Sequence, residues 1–225
     1  GVENIITFDA HDQRVQNAIP HKSFENVMPT YQMIKAIVNN IDDLKVDKDH
    51  LMVISPDEGA MQRCIYFATQ LGVNLGMFYK RRDFTKVVDG RNPIVEHQYL
   101  GDPINGKDII IVDDMISSGE SMLEVAKKLK GLGANRIFVC TTFGLFANGL
   151  DVFDEAYKEG VFEKVFTTNG VYQTPELLSR EWYQSVDLSK YVAYFLDTLN
   201  HDMSVSSLLD SSDKIDSILR RKGLK

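Results

Sequence analysis

"IIIVDDMISSGESM", residues 109–122, joins four consecutive β-branched aliphatics to two adjacent carboxylates and then to a run of small polar residues. A strand with one wet face alternates apolar and polar residues, whereas a strand covered on both faces is apolar throughout. IIIV therefore reads as a buried strand of a parallel sheet. The polar run opens "SMLEVAKKLKGLG" (121–133), whose apolar residues recur at helical spacing. Gly133 follows its last apolar turn, and the apolar run "RIFVCTT" (136–142) begins almost at once. That pattern predicts a helix C-cap and a tight return to the sheet.

The same alternation extends in both directions. Further strands are expected at IITF (5–8), LMVIS (51–55) and LGMFY (75–79), and helices at YQMIKAIV (31–38) and GAMQRCIYFATQL (59–71). This is a βαβ series, which predicts an α/β fold with a mainly parallel sheet. Residues 81–107 break the rhythm with charges, prolines and glycines, and a long functional loop or hairpin is expected there. From about residue 201 the chain reads as a loop and a short amphipathic helix carrying Ile215, Ile218 and Leu219.

The 225 residues suffice for one large domain or two small ones, and no apolar run is long enough to cross a bilayer. A formal charge of −7 argues against a broad nucleic-acid footprint, so any phosphate should be small and locally held. The two cysteines, Cys64 and Cys140, lie in apolar patterns and not in metal-ligand spacing. They are expected as buried free thiols in a reducing compartment, with the cytoplasm as the default location.

In open α/β sheets ligands bind beyond the carboxyl ends of the strands. Asp113 and Asp114, directly after IIIV, are therefore expected to point into that crevice and to accept hydrogen bonds from the hydroxyls of a ribose. Ser117, Ser118, Gly119, Glu120 and Ser121 bring hydroxyls and backbone N–H groups to a helix N-terminus, where a phosphate monoester finds donors and a favourable dipole. A diol-binding pair beside a phosphate nest fits ribose 5-phosphate. The plainer reading of the same residues is an N-capped helix after a strand.

Three further stretches stand in order before this one: "TFDAHDQRVQ" (7–16), "VISPDEGAMQR" (53–63) and "YKRRD" (79–83). Asp9 and His11, two apart at a strand end, are expected to face one side and to hold a cation or phosphate oxygens. With IVDDMISSGES, these stretches resemble ribose-phosphate pyrophosphokinase (phosphoribosyl pyrophosphate synthetase), within the wider group that shares the phosphoribosyltransferase fold. The resemblance runs over about residues 1–209, with 210–225 as an extension. It implies a twisted, mainly parallel sheet with helices on both faces and a flexible catalytic loop near 81–95. It also implies transfer of the pyrophosphoryl group of ATP to the 1-hydroxyl of ribose 5-phosphate, with Mg²⁺, giving phosphoribosyl pyrophosphate and AMP for nucleotide biosynthesis.

Residue by residue, the resemblance makes His11, Asp57, Glu58, Gly59 and Ala60 the ATP and pyrophosphate contacts, with His11 and Asp57 also serving the metal. It makes Asp113, Asp114 and 117–121 the ribose 5-phosphate site, and Lys80 and Arg82 the catalytic cations. Ala60, Ser117 and Glu120 depart from the usual pattern of Gly, an acid and Gly. Homo-oligomers based on dimers, up to hexamers, are implied. In the family an amino-terminal part that binds adenine precedes the segment matched here, so this chain is expected to be inactive alone. Two other readings are a phosphoribosyltransferase that consumes the pyrophosphate and a non-catalytic associated subunit. The paired SPD and KRR loops disfavour the first, and the retained His11, Lys80 and Arg82 disfavour the second.

Overall fold

The computed structural model describes residues 2–82 and 94–225, and the side chains of all of these except 80–82 and 94–97. Its main sheet has seven strands in the order β5-β4-β3-β6-β7-β8-β9. They are β3 (Leu51–Ser55), β4 (Asn74–Arg82), β5 (Ile94–Leu100), β6 (Asp108–Ile116), β7 (Ile137–Gly144), β8 (Lys164–Thr168) and β9 (Tyr183–Val186). All neighbours run parallel except β4 and β5, which form an antiparallel hairpin.

The continuous apolar runs are explained by cover on both faces. Met52, Ile54, Ile109, Ile111, Ile137 and Val139 point to the side of α3 (Glu120–Gly131) and α4 (Asp151–Lys158). Leu51, Val53, Ile110, Val112, Phe138 and Cys140 point to α1 (Thr30–Asn40), α2 (Met61–Leu71) and α8 (Ser212–Arg221). Successive strand residues alternate faces, so each side gets its own core. At about 25 cal/mol per Å² of apolar surface removed from water, such fully buried strands supply much of the folding drive. The expected C-terminal helix is α8, and Ile215, Ile218 and Leu219 are all buried on it.

One expectation needs correction. IITF, here β1 (Asn4–Phe8), does not join the main sheet but pairs in parallel with β2 (Ser23–Val27) in a two-stranded sheet. Only one face of that pair is covered, where Ile6, Phe8 and Val27 meet Tyr191 and Phe195 of α6 (Ser189–Asn200). Apart from the exposed Asn4 and Ser23 and the buried Val27, its residues are half-buried, unlike those of β3. The segment after LGMFY meets the hairpin alternative: it is strand as far as Arg82 and resumes as strand at Ile94, because β4 and β5 pair with each other. Residues 83–93 of the expected loop, and the side chains of Lys80 and Arg82, lie outside the described residues.

Candidate active site

β6 does not end at Val112. Its pairing with β7 continues through Asp113↔Thr141 and Met115↔Phe143 to Ile116↔Gly144, so both carboxylates sit inside the strand. Adjacent strand residues leave opposite faces, so the two acids differ in surroundings, although both reach the same Arg63 Nη1, at 3.1 and 3.6 Å. Asp113 lines a cavity of about 150 Å³ together with Pro56, Asp57, Ser117, Ser118 and Gly119. Asp114 is buried at 3 % exposure beside Arg63 and His11. The expectation that both acids face one crevice thus gives way to a split arrangement, set by the strand's period of two.

The cavity unites two distant motifs. One wall is the loop after β3, where Asp57 Oδ1 accepts the backbone N–H groups of Gly59 at 2.9 Å and Ala60 at 3.3 Å. Ala60 has φ −84°, an ordinary right-handed value, so alanine there imposes no backbone strain. The other wall is the turn into α3, with Ser121 and Met122 behind it. Gly119 caps the helix with φ 90°, a left-handed conformation that glycine adopts freely. Glu120 is exposed and lies outside the cavity lining, 3.5 Å from Asn148 Nδ2, which donates to it. Glu58 is exposed and also outside the lining. Lys80 is placed only by its backbone, beyond the carboxyl end of the β3–β4 parallel pairing that carries the SPD loop.

Behind Asp113 lies a feature that sequence reasoning passed over. Arg63, 8 % exposed on α2, donates Nε to Asp9 Oδ1 at 3.1 Å and Nη1 to Asp113 Oδ1 at 3.1 Å. Its Nη1 also stands 3.6 Å from Asp114 Oδ1. Asp9 takes a second bond from Thr142 Oγ1 at 2.6 Å and has φ 41°, which turns it inward from the end of β1. Asp9 is buried and His11 is 79 % exposed, yet both reach one cluster, Asp9 through Arg63 and His11 through Asp114, whose Oδ2 lies 2.6 Å from His11 Nδ1.

Burial, and then the charge of Asp114, pushes the Asp113 carboxyl up to about 7. Burial also raises Asp9 against the pull of Arg63, and the bond to Asp114 raises His11. All three groups hold protons more tightly in the folded chain than in the unfolded one. For the two acids, stability is greatest below their unfolded values and falls as pH rises toward the folded ones. For His11 it is full below its unfolded value of 6.5 and falls as pH passes the folded one. The signs agree, so the thermal midpoint is expected to fall as pH rises from about 6 to 8, with a flatter slope in Asp113→Asn. A midpoint that climbs over that interval would contradict the assignment.

Among the described residues no three His, Cys, Asp or Glu side chains converge as a ready metal cage. Mg²⁺ commonly uses one or two carboxylates with waters and substrate phosphates, and Asp57 and Asp113, which line the same cavity, fit that pattern. His11, whose bond to Asp114 favours its protonated form, suits a phosphate oxygen better than a metal ion.

A mainly parallel sheet covered on both faces, with a strand-loop-helix turn lining a cavity at its carboxyl edge, defines an α/β protein of the class that binds ligands beyond the carboxyl ends of its strands. Residues 21–180 match the phosphoribosyl transferase domain family, and the chain belongs to it. Its curated relatives include the ribose-phosphate pyrophosphokinases of Vibrio parahaemolyticus, 26% identical over 93% of this chain and 62% of that protein, and of Chlorobaculum tepidum, 29% identical over 95% and 60%. The chain thus spans about three-fifths of the length of these relatives. The solved phosphoribosylpyrophosphate synthetase of Mycobacterium smegmatis has the same fold, with a TM-score of 0.72 at 20% identity over 90% of this chain and 60% of that one. The resemblance read from the motifs is borne out. Among the described residues no helix is long and apolar enough to cross a membrane.

Proposed function

We propose that this chain carries the ribose 5-phosphate half of a ribose-phosphate pyrophosphokinase, which transfers the pyrophosphoryl group of ATP to the 1-hydroxyl of ribose 5-phosphate. The observation that carries the proposal is the cavity shared by the SPD loop and the VDDMISSGES turn. Ser117, Ser118, Gly119 and Ser121 hold the 5-phosphate at the start of α3, and Asp113 accepts hydrogen bonds from the ribose hydroxyls. Asp114 acts from behind by fixing His11 and Arg63. The loop Asp57–Ala60 receives the pyrophosphoryl end, and His11 donates to nucleotide phosphate.

Lys80 and Arg82 stabilise the charge that develops as the sugar oxygen bonds the β-phosphorus and AMP departs. Glu120 faces outward, away from the phosphate it would repel. Asp57 and Asp113 would hold Mg²⁺ together with substrate oxygens; when bound, the ion neutralises phosphate charge. The two buried unpaired thiols support a reducing, cytoplasmic setting, and the relatives' names support ATP as the co-substrate. A dimer-based homo-oligomer is part of the same reading.

Calorimetric titration of the chain with ribose 5-phosphate tests the site. Saturable binding is expected, weakened about tenfold or more in Ser118→Ala, because a hydrogen bond to a charged group contributes about 1.5–3 kcal/mol. Binding indifferent to that change, and to Asp113→Ala, would sink the proposal.

A further inference from the structure

The largest cavity described, about 480 Å³, is not the cradle. It lies at the β9 edge of the sheet, three strands from β6, between α1, α6 and α8. Much of its wall follows residue 180, outside the family match, and Lys214 and Ser211 come from the last fifteen residues of the chain. Its size is within the range of small-molecule sites, about 300–1,000 Å³.

The lining has a definite chemistry. Lys35, Lys190 and Lys214 reach it from three different helices, and among the described residues none of them is within ion-pair distance of a carboxylate. The charge of Lys35 is nonetheless felt by Asp187, on the same wall. A second cleft beyond Tyr31 and Lys214 adds Arg221, with Asp213 in the same lining. In a chain of net charge −7 this convergence of cations is a local reversal of sign.

Aromatic surface accompanies the charge, since Tyr31, Tyr191 and Tyr194 also line the cavity and Lys190 Nζ sits 5.6 Å from the Tyr194 ring centroid. The last feature is the most telling. Gln32 Oε1, also in this wall, is buried and has no hydrogen-bond partner. A buried orphan acceptor costs about 1–3 kcal/mol, and a donor on a bound molecule relieves it once the Gln32 side chain turns into the cavity that the residue lines.

We propose that this cavity binds a small organic phosphate whose other end is a planar ring bearing an N–H or O–H donor. The phosphate pairs with Lys35 and Lys214, the ring lies along the tyrosines, and the donor satisfies Gln32. The C-terminal helix α8 is in this view a wall of a ligand site as well as a cover for α1 and α2.

Calorimetry on the 225-residue chain tests this with three probes: AMP, which has a ring and a donor; phenyl phosphate, which has the ring alone; and inorganic phosphate. The expected order of affinity is AMP, then phenyl phosphate, then phosphate. Lys35→Ala and Lys214→Ala should each weaken AMP about tenfold, since each removes a charged hydrogen-bond partner. Gln32→Leu should abolish the advantage of AMP over phenyl phosphate, and in Ser118→Ala, which weakens any AMP held through its own ribose 5-phosphate in the cradle, an AMP site that depends on Lys35 and Lys214 should remain. Three results overturn the proposal: no saturable binding at millimolar concentrations, phosphate as tight as AMP, or AMP binding lost in Ser118→Ala but kept in both lysine variants. The ribose 5-phosphate reading of the cradle survives any of them.

Discussion

Arg63→Met is expected to cost about 3–5 kcal/mol of stability, the usual penalty for removing one partner of a buried ion pair and leaving the other charged. In the native chain the guanidinium is the hub of three carboxylates: Asp9, Asp113 and Asp114. Methionine fills much of the same volume, so the loss is electrostatic and not a cavity. The midpoint of urea unfolding should drop with little change in slope. Double replacement with Asp9→Asn should recover part of the loss, because one of the stranded charges is gone while the acceptor for Thr142 remains. The variant should also regain stability in mild acid more steeply than wild type, since protonating Asp9 and Asp113 then relieves the unpaired burial. A loss below about 1 kcal/mol, the range of exposed pairs, would mean that water reaches the cluster and that Arg63 does not organise it.

The sequence held a signal for Arg63 that is physical and not a matter of motif. On α2 the buried positions are Arg63, Cys64, Phe67, Ala68 and Leu71, the three-and-four spacing of a helix face turned to the core. A guanidinium on that stripe cannot be left unpaired, so acids had to face it from another element. Asp9, at the end of an apolar run, and the Asp113–Asp114 pair were the available ones. What could not be read was the hand of each acid, which depends on where β6 stops. Ending the strand at Val112 sends both carboxylates into the crevice; continuing it to Ile116 separates them.

The parallel core was legible because strands buried on both faces are continuous in apolar residues, as LMVIS and IIIV are. β8 and β9 were not, because KVFTT and YQSV are short and half polar, and their burial comes from tertiary neighbours and not from local pattern. The parallel partnership of β1 with β2 was hidden for a related reason. A half-covered apolar run looks the same whether it joins the main sheet or lies across helix α6.

Gly119→Ala should be the most damaging single-methyl change in the cradle. The residue has φ 90°, a left-handed conformation that costs a non-glycine residue about 1–3 kcal/mol where the surroundings enforce it. The space is also closed, because an added Cβ would overlap Cε2 and Cζ of Phe153. That ring cannot retreat: it is fully buried, edge-on to Phe146 at 5.1 Å between centroids and stacked on Trp182 at 5.5 Å. Overpacking of this kind adds about 1–3 kcal/mol. Either the turn shifts outward and the nest opens, or the aromatic cluster beneath it is disrupted, and the two routes differ in what they spare. If the turn yields, ribose 5-phosphate binding is lost while most stability remains; if the cluster yields, stability falls by the summed amount and binding weakens with it. Phe153→Leu separates them: in the double variant the overlap is gone and only the φ strain persists, so ribose 5-phosphate binding should partly return despite a colder melt. Full retention of both binding and stability in Gly119→Ala would mean that the turn has another conformation of equal energy, and that the nest in front of Ser118 is not rigidly built.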